Sequence, residues 1–312
     1  MENRLGTVMR STETRVVFAL LALIALVDLG LRLVDNRLSG NVAHVESIPQ
    51  LVAEAGQPER QSLLLLGNSL TNNGVAPQVV TNKLPSVALA KVTPDATGLW
   101  SWQCLLDHQV IERPEVQFDT VVIGFAWNLL SDQTNANASR LGGLYCDLSD
   151  LGRAQQIGLK NSGDIGEFLA AKLLRTYALR ETLRNRFFQS AVPNYVDFTQ
   201  ANNRAGAPGA EPDSARDQQQ YTYRTFTGLV NRLKAEGTRV IVVAMPIQKE
   251  YQIDPQLREL ADKGVVELLD LRETAGIKAA HYLDGIHLNA TGQQILSRVL
   301  AEDLAVELRS ST

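Results

Sequence analysis

Apolar positions along this chain form one long stretch near the start, followed by short strand-like runs separated by helical patterns. Val16 to Val27 is unbroken apolar sequence, and a weaker extension through Asp28 reaches Val34. That length is just enough to span a bilayer as a helix. Leu63-Leu64-Leu65-Leu66 is apolar without alternation, the pattern of a strand buried on both faces of a parallel sheet. Gly67 ends it, a small polar run to Gly74 follows, and Pro77 starts a helix reaching Leu84. Further strands are predicted at Val87–Val92, Thr120–Phe125, Arg239–Met245 and Val265–Leu271. Between them, Leu99 to Val110 reads as a helix with Trp100, Trp102 and Leu106 to bury. Gln219 to Glu236 reads as a helix closed by Gly237. Asp254-Pro255 opens a short helix, and Asn289 caps an amphipathic helix running from Ala290 to about Leu308. This alternation predicts a doubly wound α/β sheet.

The middle of the chain departs from the rhythm. Residues 163–190 read as one long helix, with Leu169, Leu173 and Tyr177, then Leu179, Leu183 and Phe187, at spacing four. Lys172, Arg175, Arg180, Arg184 and Arg186 fall among them, either as a solvated face or as a surface for anionic lipid or an acidic glycan. Residues 199–218, rich in Ala, Asn, Gly, Pro and Gln, read as a mobile loop. Arg4, Arg10 and Arg15 precede the long apolar stretch, so the positive-inside rule keeps the N-terminus cytoplasmic and sends the rest across. The predicted organisation is a cytoplasmic N-terminus (1–15), a single-pass anchor (16–34), a linker (35–60) and a catalytic-size domain (61–309). That domain carries a helical insert at about 150–198. A cleaved signal peptide is the alternative to an anchor, but no A-x-A site follows the apolar run. Asp28 and Arg32 are expected at the outer interface, with contact to a membrane partner as the other reading.

Bulk properties narrow the function. The net charge of -4 and hydrophobic content of 45%, with a pI of 5.7, suit a globular domain and give no sign of a nucleic-acid binder. Cys104 and Cys146 lack C-x-x-C spacing, which argues against structural zinc. Outside the cytoplasm they form a candidate disulfide; two buried thiols are the alternative.

Of four histidines, only His287 stands three residues after an aspartate in a strand-to-helix turn, Asp284-Gly285-Ile286-His287. A carboxylate there can orient the imidazole while its other nitrogen faces a nucleophile. Ser69, two residues past a buried strand, sits where ligands bind in open α/β sheets. A serine hydroxyl needs such a base to become nucleophilic at neutral pH.

These residues carry a resemblance to the SGNH (GDSL-type) hydrolase superfamily over roughly residues 60–308. Gly67-Asn68-Ser69-Leu70 resembles the G-D-S-L block. Gly98 matches the glycine of the second block, with Thr97 as a neighbouring candidate donor. Ala126-Trp127-Asn128 falls where the family has G-x-N-D, and Asp284-Gly285-Ile286-His287 resembles the D-x-x-H block. The resemblance implies a flavodoxin-like three-layer sandwich, a Ser69–His287–Asp284 triad, and an oxyanion hole from Ser69, Gly98 and Asn128. It implies no metal or organic cofactor. Asn68 departs from the usual aspartate, Ala126 from the usual glycine, and Leu129 stands where an aspartate often follows. The implied function is an anchored, extracytoplasmic (periplasmic) esterase acting on an acylated glycan. The alternatives are an O-acetyltransferase subunit working with a multi-spanning membrane acyltransferase, and a non-catalytic glycan-binding or assembly subunit.

Overall fold

The computed structural model describes residues 12–57, 61–159, 161–195 and 220–309. The 199–218 loop lies outside the described residues. Helix α1 (Thr12–Arg32) comes first, then a short α2 (Asp35–Leu38) and α3 (Gly40–Ala55). Five parallel strands follow: β1 (Gln61–Leu66), β2 (Val87–Val92), β3 (Thr120–Phe125), β4 (Arg239–Ala244) and β5 (Glu267–Asp270). Their spatial order is β2-β1-β3-β4-β5, so the sheet reverses direction between β1 and β3. That switch point is where open α/β sheets form a ligand crevice.

The four leucines of β1 divide between two cores. Leu63 and Leu65 pack with Val122, Ile241, Val243, Leu296 and Leu300 on one face, while Leu64 and Leu66 pack with Val121, Ile123, Phe226 and Trp102 on the other. Successive strand residues point to opposite faces, which is why an uninterrupted apolar run fits a strand covered on both sides. Helices α4 (Ser69–Gly74), α5 (Pro77–Lys83), α6 (Leu99–Leu106), α10 (Arg224–Ala235), α11 (Pro255–Asp262) and α12 (Ala290–Arg309) complete the layers. Asp254 caps α11 through Gln256 N, and Asn289 caps α12 through the N–H groups of Thr291 and Gly292.

Two expectations are corrected. The expected 35–60 linker is folded over its described part, 35–57: α3 buries Val42, Ile48, Val52 and Ala55, the last three within the core beside β1 and β2. These residues recur at helical spacing, but Gly40 and the mid-helix Pro49 weaken the local signal, and burial against the sheet outweighs it. The 163–190 segment is not one helix. It divides into α7 (Ser162–Leu173), α8 (Arg175–Ala178) and α9 (Arg180–Ala191), because Leu174 is extended and Leu179 is non-helical.

The breaks turn side chains of the insert toward the N-terminal helices. Arg175 bonds Asp35, the Gly143 carbonyl at 2.9 Å and Glu46 at 3.4 Å. Lys172 pairs with Asp147 at 2.6 Å, and Arg180 with Glu167 at 3.3 Å. Much of the expected basic face is thus engaged within the chain. Asp28, expected at the outer interface, is buried by the chain itself: it accepts from Thr176 N at 2.8 Å, Thr176 Oγ1 at 3.0 Å and Arg32 Nε at 3.0 Å. Cys104 on α6 and Cys146 form a disulfide, closing a sequence separation of 42 residues.

Candidate active site

The crevice is assembled from turns at the carboxyl ends of β1, β2 and β3 and from the loop before α12. After β1, Asn68 caps α4 by accepting from Leu70 N at 3.0 Å, which makes Ser69 the first residue of that helix. The helix crosses the strand ends closely. A Cβ at Gly67 or Gly124 would fall 2.0 or 2.2 Å from Thr71 Oγ1, so glycine at both positions lets α4 lie there.

The sequence-predicted Ser69, His287 and Asp284 come together. His287 Nε2 lies 2.8 Å from Ser69 Oγ, and His287 Nδ1 lies 2.7 Å from Asp284 Oδ2. The second carboxylate oxygen accepts from the backbone N–H of His287 at 2.9 Å and of Ile286 at 3.2 Å. Burial by itself would raise the Asp284 pKa. The hydrogen bonds from the His287 ring and the two N–H groups outweigh it and hold the carboxyl below the ordinary carboxylate range. Gly285 takes a φ of +87°, which closes the turn between the two side chains at no steric cost. Its carbonyl accepts from Gln248 N at 2.8 Å, tying this loop to the one after β4.

The three turns carrying Ser69, Gly98 and Asn128 are cross-linked. Asn68 Nδ2 donates to the Thr97 carbonyl at 3.0 Å, Trp102 Nε1 donates to the Gly67 carbonyl at 3.1 Å, and Leu99 N donates to the Leu129 carbonyl at 3.0 Å. The Thr97 carbonyl belongs to the same trans peptide as the Gly98 N–H, so the two point in opposite directions. By fixing the carbonyl, Asn68 aims the Gly98 N–H. Among the described residues, the N–H groups of Ser69 and Gly98 and the Asn128 side-chain amide have no protein hydrogen-bond partner. That leaves three donors free for a ligand oxygen. The Asn68 contact to Thr97 escaped the sequence reading; its only trace there was asparagine in place of aspartate.

Trp127, just before Asn128, has a φ of +50°. A bulky residue in the left-handed region is strained, and such strain concentrates at functional sites. Its half-buried ring stands 6.0 Å from that of Tyr251. Both belong to a small apolar cluster with Leu70, Ala126, Ile247 and Ile286, which includes the neighbours of Ser69 and His287 in the chain. Among the described residues, the one group of three side chains with metal-ligand geometry is Cys104, Cys146 and Asp150, and its sulfurs are committed to the disulfide.

No protein-family model and no curated protein sequence matches the chain. Solved structures similar to it include a Bacteroides fragilis protein described as an acylhydrolase, with a TM-score of 0.42 and 12% identity over 84% of this chain and 95% of that one. An acetylxylan esterase from Geobacillus stearothermophilus has a TM-score of 0.39 and 12% identity, covering 80% and 95%. A lipase from a goat rumen metagenome has a TM-score of 0.34 and 13% identity, covering 78% and 96%. In its own strand order the chain has a flavodoxin-like doubly wound α/β fold, with the strand-end Ser69 and the closing D-x-x-H loop at its crevice.

Proposed function

We propose that this chain is a serine esterase that removes a short acyl group, acetyl in the simplest case, from a carbohydrate hydroxyl. The observation that carries this reading is the continuous Ser69–His287–Asp284 hydrogen-bonded array at the switch point of the sheet. His287 Nε2 takes the Ser69 proton as Oγ attacks the ester carbonyl, and Asp284, held as a carboxylate, stabilises the imidazolium. The developing oxyanion accepts from the N–H groups of Ser69 and Gly98 and the Asn128 amide. His287 then protonates the leaving sugar oxygen, and water, activated by the same imidazole, releases the acid from the acyl-enzyme. The half-buried Trp127 at the crevice suits the apolar face of a sugar ring.

Helix α1 is long and apolar enough to cross a membrane, and in this reading it is a single-pass anchor. The basic residues before it favour the extracytoplasmic side for the domain, and the disulfide fits an oxidising compartment.

A fluorophosphonate probe should label the wild type and not Ser69→Ala; equal labelling overturns the assignment. With a labelled acetyl donor, free acetate release that is insensitive to added glycan supports hydrolysis. Labelled glycan accumulating as acetate release falls would instead identify an O-acyltransferase.

A further inference from the structure

We infer that the helical insert of residues 162–195 rests at the headgroup–acyl boundary of the phospholipid bilayer that α1 crosses, so that anchor and catalytic domain meet the membrane as one body. The inference rests on reading α1 as a membrane span. Its starting point is depth. Val16–Val27 is twelve residues, about 18 Å of helix, whereas the hydrocarbon layer is about 30 Å thick. The whole of α1, 21 residues, is therefore needed to cross. Asp28 lies four residues before its end, about 6 Å along the axis, just inside the exit edge of the hydrocarbon.

Asp28 is nevertheless the one buried residue of α1, and what buries it is the insert. Thr176 of α8 donates to it twice, at 2.8 and 3.0 Å, and Arg32 Nη2 donates to the Leu173 carbonyl at 3.0 Å. The α7–α8 junction is thus held at the depth of Asp28. At that junction Leu173 is 67% exposed and Leu174 37%. Leucines exposed at this depth face lipid rather than water, as do the exposed Leu29 and Leu33 at the end of the anchor.

Helix α9 extends the same edge. It has no buried residue, so packing within the protein contributes little to holding it. Arg186 Nε donates to the Leu38 carbonyl at 3.1 Å, which ties α9 to the short helix following the span. Phe187 is 65% exposed. Of its arginines, Arg180 pairs with Glu167, and the exposed Arg184 adds a basic side chain to the same helix. Aromatic and basic side chains together suit an interface with anionic headgroups.

Tryptophan scanning of the full chain in nanodiscs tests this, using anionic phospholipid brominated high on its acyl chains. Val27→Trp reads the anchor, Leu173→Trp and Phe187→Trp read the insert, and Val306→Trp, exposed on α12 across the sheet, is the control. Signals are taken as differences from wild type. Blue-shifted emission from Leu173→Trp and Phe187→Trp, quenched at least twofold by the bromines while Val306→Trp is not, is the expected result. Quenching of Val27→Trp alone would leave the anchor in place and overturn the docking, freeing the apolar edge for a protein partner. Absence of quenching at Val27→Trp would overturn the spanning reading itself.

Discussion

Asn68 holds a carbonyl that an aspartate in the same place would repel. Its amide donates to Thr97 O, whereas an ionised carboxylate can only accept. Asn68→Asp should therefore release the Thr97–Gly98 peptide, weaken one oxyanion donor and lower kcat about 100-fold or more, with a smaller effect on KM. Once its new carboxyl is protonated, the variant can donate again, so the activity of Asn68→Asp relative to wild type should rise as pH falls toward the ordinary aspartate range, about 4. A ratio near one at every pH would show that Asn68 does not position Gly98. Ser69 was legible as a residue because it follows a predicted strand end, and Asp284 and His287 because they share a four-residue motif just before a predicted helix. The second bond of Asn68 was not, because its partner lies 29 positions away on another turn.

Among the elements, α6 and the segment ending at Cys146 show how a tertiary contact answers what spacing leaves open. Two cysteines without motif spacing fit a bridge or two thiols equally, and only the approach of α6 to residue 146 decides between them. Opening a loop with a sequence separation of 42 should cost about 4 kcal/mol in the chain-entropy model. Cys104→Ser/Cys146→Ser is thus expected to lose that much in denaturant unfolding, and a loss near zero would place the bridge outside the stabilising contacts. Strands β2 and β3 coincide with their predicted ranges because short β-rich runs bounded by turns carry their own signal. The long helix of 163–190 failed because spacing-four leucines persist through Leu174 and Leu179, where the backbone turns Arg175 toward Asp35 and Thr176 toward Asp28.

For the molecule as a whole, the boundary of the folded domain lies at α2–α3 rather than at residue 61. Val42, Ile48 and Val52 are each about 1% exposed; burying three such side chains is worth about 6 kcal/mol, a large part of a typical domain stability of about 5–15 kcal/mol. A chain beginning at residue 35 should show a cooperative thermal transition. One beginning at residue 57 should show none, and equal melting of the two by circular dichroism would return α3 to the status of a linker.

Local pattern by itself determined the doubly wound α/β class, the strand positions and the apolar anchor-length stretch, and it marked Ser69, Asp284 and His287 as candidates. Each of these is written in neighbouring residues, through periodicity, turn chemistry or a four-residue motif. Tertiary structure alone decided that α3 joins the core, that Asp28 is satisfied by Thr176, and that the cysteines meet. It also decided that Asn68 aims the Gly98 N–H. These depend on which distant surfaces bury one another and on which buried polar groups must then find partners, and neither condition is expressed in any short stretch of chain.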